Sequence, residues 1–186
     1  MSMIYFYLGM AIVIALIVYF YYFSLRKKKI PRTNSLYTDA LNAMVNGDLS
    51  NAVGLLKQVV KQDSNHVRAY LQLGNILRKE NPEQALKIHQ SLTVRPNLSK
   101  DIQVDIHTAL AEDYGFLSNY KKAIEEAKLV LAIEKRNLWA LNFLVNTSVE
   151  NKDWEEAIRC TKQLQKVTGK TTYEDEAKFD VFKGLD

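Results

Sequence analysis

Residues 110–127 read LAEDYGFLSNYKKAIEEA, and this stretch decides the fold. Leu110-Ala111 belongs to one helical pattern, Asn119 marks a turn, and Ala123 lies inside a second helical pattern. The layout recurs along the chain. Alanines stand at Ala52, Ala85, Ala123 and Ala157, spaced 33, 38 and 34 residues apart. Three residues before each come Leu49, Pro82, Tyr120 and Trp154. About twelve residues before lie Ala40, Leu73-Gly74, Leu110-Ala111 and Leu144-Val145.

Small residues at fixed points on two helices let the backbones approach closely, and the larger residue before the alanine fills the groove between units. A helix–turn–helix period near 34 residues is the tetratricopeptide (TPR) pattern. YLQLGNIL at 70–77 and the 110–127 stretch match it best; the first and fourth units match more weakly. No stretch alternates with period two, so no sheet is expected. The expected fold class is all-α: an N-terminal transmembrane helix, then a TPR-type solenoid of about four repeats plus a terminal helix.

The units fall at roughly 35–65, 66–96, 99–136 and 137–169. Asp48, Asn81, Asn119 and Asp153 sit where second helices begin, and such side chains cap exposed backbone N–H groups. Pro82 follows at a first helical position, where its missing N–H costs nothing extra. Asp153 with Glu156, and Thr172 with Asp175, have capping-box spacing. Residues 172–186 then form either a capping helix or the start of a further repeat. The segment KIHQSLTVRPNLSK at 87–100 is a joint: Arg95-Pro96-Asn97 stops one helix and Ser99 caps the next. His89, on a packing face, is read as a half-buried structural histidine bonded to a neighbour.

From Ile4 to Phe23 there is no charged residue. A helix of that length spans about 30 Å, the thickness of a bilayer's hydrocarbon core. Tyrosines flank both ends, at Tyr5 and Tyr7 and at Tyr19, Tyr21 and Tyr22, where amphipathic rings favour the headgroup level. Residues 1–25 therefore read as a retained single-pass anchor in the inner (cytoplasmic) membrane. Arg26, Lys27, Lys28, Lys29 and Arg32 make residues 26–34 a basic linker. Positive residues stay on the cytoplasmic side, which puts the N-terminus outside and the repeats in the cytoplasm, with the linker against anionic headgroups.

The formal net charge of +4 is a property of that linker. Beyond residue 32 the chain carries 20 basic and 21 acidic residues, a net of −1, which excludes a nucleic-acid-binding surface as the cause of the basic balance. The single cysteine, Cys160, excludes an internal disulfide and fits a reducing compartment.

Catalytic chemistry is not expected. There is no phosphate-binding glycine loop and no HxxxH or CxxC pair, so neither a cofactor nor a metal site is predicted. His66, His89 and His107 fall apart from one another. Glu125-Glu126 and Glu155-Glu156 read as solvated faces. Arg159 and Lys162 would lower the Cys160 pKa, although its helical spacing suggests ordinary packing. What remains is surface. First helices of stacked repeats line a concave groove for a protein or peptide, with no small-molecule substrate. By register, repeat two presents Arg68, Asn75, Arg78 and Lys79 there. Repeat three presents Thr108, Glu112 and Phe116; repeat four presents Trp139, Asn142 and Asn146, with Trp139 as the apolar anchor. Tyr37 and Leu41 stand where a carboxylate clamp needs Lys and Asn, which argues against recognition of chaperone C-termini.

The run IHQ…RPNLS, with LQLGNILR around Gly74, LAEDYGFLSNYKKA around Tyr114 and DWEEAI at Asp153, resembles the lipopolysaccharide assembly protein B (LapB) family. The resemblance spans essentially residues 1–180, including the anchor and basic linker. It implies an adaptor on the cytoplasmic membrane face that links a membrane protease to the lipid A deacetylase and so adjusts lipopolysaccharide synthesis. The alternative is a generic TPR scaffold for an envelope assembly, secretion or pilus machine. Two departures stand out. Repeat two is one residue short between Gly74 and Ala85, and the family's rubredoxin-like zinc module with two CxxC pairs has no counterpart here. The chain is thus read as a truncated product or a short relative.

Overall fold

The computed structural model describes residues 2–25 and 33–169. The chain divides into two compact units, Met1–Arg32 and Thr33–Asp186. In the first, helix α1 runs from Ser2 to Leu25. Its side chains from Ile12 to Phe20 are all exposed, so it carries apolar residues on every side. Among the described residues no helix is long and apolar enough to cross a membrane. In α1 the described side chains run unbroken only from Ile12 to Phe20, and other side chains of the span expected at Ile4–Phe23 lie outside the description. So do Arg26, Lys27, Lys28, Lys29 and Arg32, and the helix expected over 172–186.

The second unit is built of helix pairs: α2 (Thr33–Val45) with α3 (Leu49–Gln62), and α4 (Val67–Leu77) with α5 (Pro82–Thr93). Then come α6 (Lys100–Phe116) with α7 (Tyr120–Ile133), and α8 (Leu138–Glu150) with α9 (Trp154–Thr168). Each second helix starts on a local signal. Asp48, Asn81, Asn119 and Asp153 each accept a hydrogen bond from the backbone N–H three residues on. That satisfies one of the donors a helix start leaves open. Glu156 does not complete the capping box with Asp153; its carboxylate is taken by Arg159 and Lys128. Ser99 makes no side-chain cap bond either.

The register alanines do what their size permits. Ala52, Ala85, Ala123 and Ala157 have no exposed surface, so each lies where the neighbouring helices leave room for one methyl group. Between them the core is continuous through successive pairs. Leu56, Val59, Ala69 and Leu73 pack in the first cluster; Leu71, Leu92, Ile106 and Leu110 bridge the second and third pairs; Ala111, Ile124, Leu144 and Cys160 join the third and fourth. The joint at 94–99 is pinned by Arg95, whose guanidinium donates to Ser64 O at 2.8 Å and lies 4.7 Å over the Tyr70 ring. Asn97 makes the turn with φ 58°, a left-handed geometry that asparagine tolerates.

Candidate functional site

The first helices α4 and α6 pack side by side, and a cavity of about 220 Å³ opens between them. α4 contributes Gln72 and Asn75, and α6 contributes Asp105, Thr108 and Glu112. Leu71 and Ala109 complete the lining. These α6 positions are three and four residues apart, so one helix face delivers them all to the same groove.

Behind this cavity runs a buried polar chain that the sequence reading did not foresee. Arg78, expected in the groove, is turned inward. Its Nε donates to Asp113 Oδ1 at 2.6 Å and its Nη1 to Glu112 Oε2 at 2.7 Å. Its Nη2 donates to Asn75 Oδ1 at 2.9 Å and to Ala109 O at 3.2 Å. Asp113 is wholly buried, and its second oxygen meets His89 Nδ1 at 2.5 Å. His89 Nε2 then lies 3.2 Å from Leu71 O. His89 is therefore fully buried, not half-buried, and is bonded on both ring nitrogens. A buried carboxylate needs a paired cation and filled acceptor sites, and Asp113 finds Arg78 from the preceding repeat and His89 from α5.

This frame fixes what the cavity presents. Asn75 gives its carbonyl oxygen to Arg78, so its amide N–H groups are left for the groove. Glu112 is held by one oxygen, leaving the other open. Among the described residues the Asp105 carboxylate, although exposed, has neither a hydrogen bond nor an ion pair; partial burial, the largest influence, pushes it up, with Arg68 acting against that shift. Arg68 itself is committed to Asp101 at 2.9 Å.

Of the expected groove residues, Asn75, Thr108 and Glu112 thus come together in one cavity. The others are spread out. Lys79 and Asn146 are exposed, and the Asn142 side chain donates to Leu138 O on its own helix. Phe116 is half exposed. Trp139 is half-buried: it stacks on Phe143 with ring centroids 4.9 Å apart and packs against the α6–α9 core.

Other charged groups are also structural. Glu126, read as part of a solvated face, accepts from His107 Nδ1 at 2.7 Å. His66 caps α4 by accepting from Ala69 N–H, a role the usual set of capping residues does not suggest. Burial pushes the Cys160 thiol up to about 11 and outweighs Arg159, which acts in the expected lowering direction. Among the described residues no group of three His, Cys, Asp or Glu side chains could hold a metal ion.

The backbone has close solved counterparts. The crystal structure of MamA protein superposes with a TM-score of 0.70 at 19% identity, covering 84% of this chain and 85% of that one. A tetratricopeptide repeat protein from Parabacteroides merdae ATCC 43184 superposes at 0.69 with 18% identity, over 82% of this chain and 60% of that one. The fold is a TPR-type helical array. No family model matches the chain. In sequence it is 25% identical over 132 residues to lipopolysaccharide assembly protein B of Escherichia coli K12, covering 70% of this chain and 34% of that protein. The Haemophilus influenzae protein of the same name is also 25% identical, over 142 residues. The chain spans about a third of the length of these relatives.

Proposed function

We propose that this protein is a membrane-anchored TPR adaptor that holds a segment of a protein partner in the groove between its first helices, at the cytoplasmic face of the inner membrane. The observation that carries the reading is the α4–α6 cavity, where Asn75, Thr108 and Glu112 converge on a polar lining with unfilled hydrogen-bonding capacity. No catalytic step is assigned to it. The apolar helix α1 and the basic residues after it support the anchor: a helix that is apolar on every side suits a bilayer better than water. The anchor would raise the effective concentration of the groove beside membrane partners.

The likeness to lipopolysaccharide assembly protein B favours partners in lipopolysaccharide synthesis, namely a membrane protease and the lipid A deacetylase it degrades. A scaffold for an envelope assembly, secretion or pilus machine uses the same array and is the competing reading. The experiment is photocrosslinking in living cells from a benzophenone amino acid placed at Thr108 in the full chain. Covalent capture of the protease or the deacetylase supports the adaptor reading. Capture of secretion or pilus components replaces it with the scaffold.

A further inference from the structure

Three properties of the α4–α6 cavity restrict what it accepts. First, its size, about 220 Å³, falls below the roughly 300–1,000 Å³ of small-molecule sites, and suits one long side chain. Second, its lining is polar, which disfavours an apolar anchor. Third, its charge is unbalanced. Arg78 is matched by Asp113 and Glu112, and Asp105 adds a carboxylate with no bonded partner. Even with His89 protonated, these five groups carry one more negative charge than positive. Arg68 and Asp101 cancel each other at the edge. A cation entering the cavity would restore the balance, meeting the exposed Asp105 carboxylate and the part-buried Glu112 with the modest gain of a partly exposed pair.

The donors are equally fixed. Arg78 orients the Asn75 amide so that its N–H groups remain available to an incoming carbonyl oxygen. An extended polypeptide offers both complements at once: a backbone carbonyl for Asn75 and a side chain reaching toward Asp105 and the open oxygen of Glu112. We infer that the cavity takes the lysine or arginine side chain of an extended segment of the partner protein, with a neighbouring backbone carbonyl accepting from Asn75. This rests on the groove-binding reading above and adds the chemistry of the bound segment.

The test is methyl NMR on the full chain in lipid nanodiscs, labelled at alanine, leucine and threonine. Leu71, Thr108 and Ala109 report on the cavity, and Ala157 in the fourth pair reports on the fold. The probes are short, end-blocked peptide pools with uncharged flanks and a central residue fixed as arginine, lysine, glutamine or leucine. Arginine and lysine pools are expected to shift the cavity methyls at about fivefold lower concentration than the glutamine pool, the factor a partly exposed ion pair supplies. That preference should vanish in Asp105→Asn, which leaves every Arg78 bond intact, while Ala157 stays unmoved.

Equal response to glutamine and arginine, a preference that survives Asp105→Asn, or no shift at the cavity methyls with any pool would each overturn the inference. Spermidine producing the same shifts at the same concentration would also overturn it, by making the occupant a free polyamine. If Thr108 still captures a protein in cells while the pools show no charge preference, the adaptor reading stands and this one falls. Loss of both would remove the groove itself as the binding surface.

Discussion

The imidazole of His89 occupies the space that a side chain at Gly74 would need. A Cβ built there would overlap His89 Nε2 and stand 2.6 Å from Cε1. Gly74 is thus a seat for a buried ring that ties α5 to Asp113 of the next repeat, and not simply a point of backbone approach.

Gly74→Ala is expected to destabilise the repeat array by about 2 kcal/mol, the usual cost of overpacking a filled core, despite alanine's better helix propensity. Urea denaturation measures the loss. The cause is checked by the double change: in a His89→Ala background the same Gly74→Ala substitution should cost much less. Equal cost in both backgrounds would mean the ring is not the obstacle.

Arg78→Met should act on stability before it acts on binding. It leaves Asp113 buried with His89 as its remaining ionisable partner and frees Glu112 and Asn75 from their frame. Breaking one side of a buried charge pair costs about 3–5 kcal/mol, and the half-exposed Glu112 should move the value toward the lower end. The denaturation midpoint is the measurement. A loss confined to partner capture, with an unchanged midpoint, would contradict the inward role of Arg78.

Glu156 gives a defined acid response. Its carboxylate accepts from Arg159 at 2.6 and 2.7 Å and pairs with Lys128 at 2.9 Å, and these contacts, Arg159 foremost, hold its pKa at about 2 against an ordinary 4.5. A folded-state pKa below the unfolded value contributes stability that is fully present above about pH 4.5 and disappears as pH falls toward 2. Because Lys128 and Arg159 are about half exposed, water screens the pair and the contribution is about 1 kcal/mol. Glu156→Gln should remove that part of the acid dependence in urea titrations run across this range. Parallel pH profiles for both proteins would exclude the pairing as a source of stability.

The local devices of the fold were readable without coordinates. Asp48, Asn81, Asn119 and Asp153 bond to backbone only three residues away, so spacing alone reveals them. The four register alanines were equally plain, since a position buried between two helices excludes larger side chains wherever it recurs. The capping box at Asp153 failed for a tertiary reason: Lys128, on the preceding second helix, draws Glu156 away together with Arg159. Trp139 is a second case where neighbours matter. An aromatic residue at a groove register can rotate into the core, and Phe143 one turn later offered it a stacking surface.

The chain of Arg78, Asp113 and His89 left one visible trace. Asp113 falls on the apolar face of α6, in register with Ile102, Ile106 and Ala109, and a carboxylate there must find a cation. Its sequence position does not say which one. Periodicity, capping and residue size determined the helices and their pairing as repeats, because those interactions act within a helix or between neighbours in the chain. Only the tertiary structure decided which charges are spent inside the protein and which still face the groove. That partition depends on the angle at which α4, α5 and α6 meet, and contacts spanning a whole repeat leave no periodic mark in the sequence.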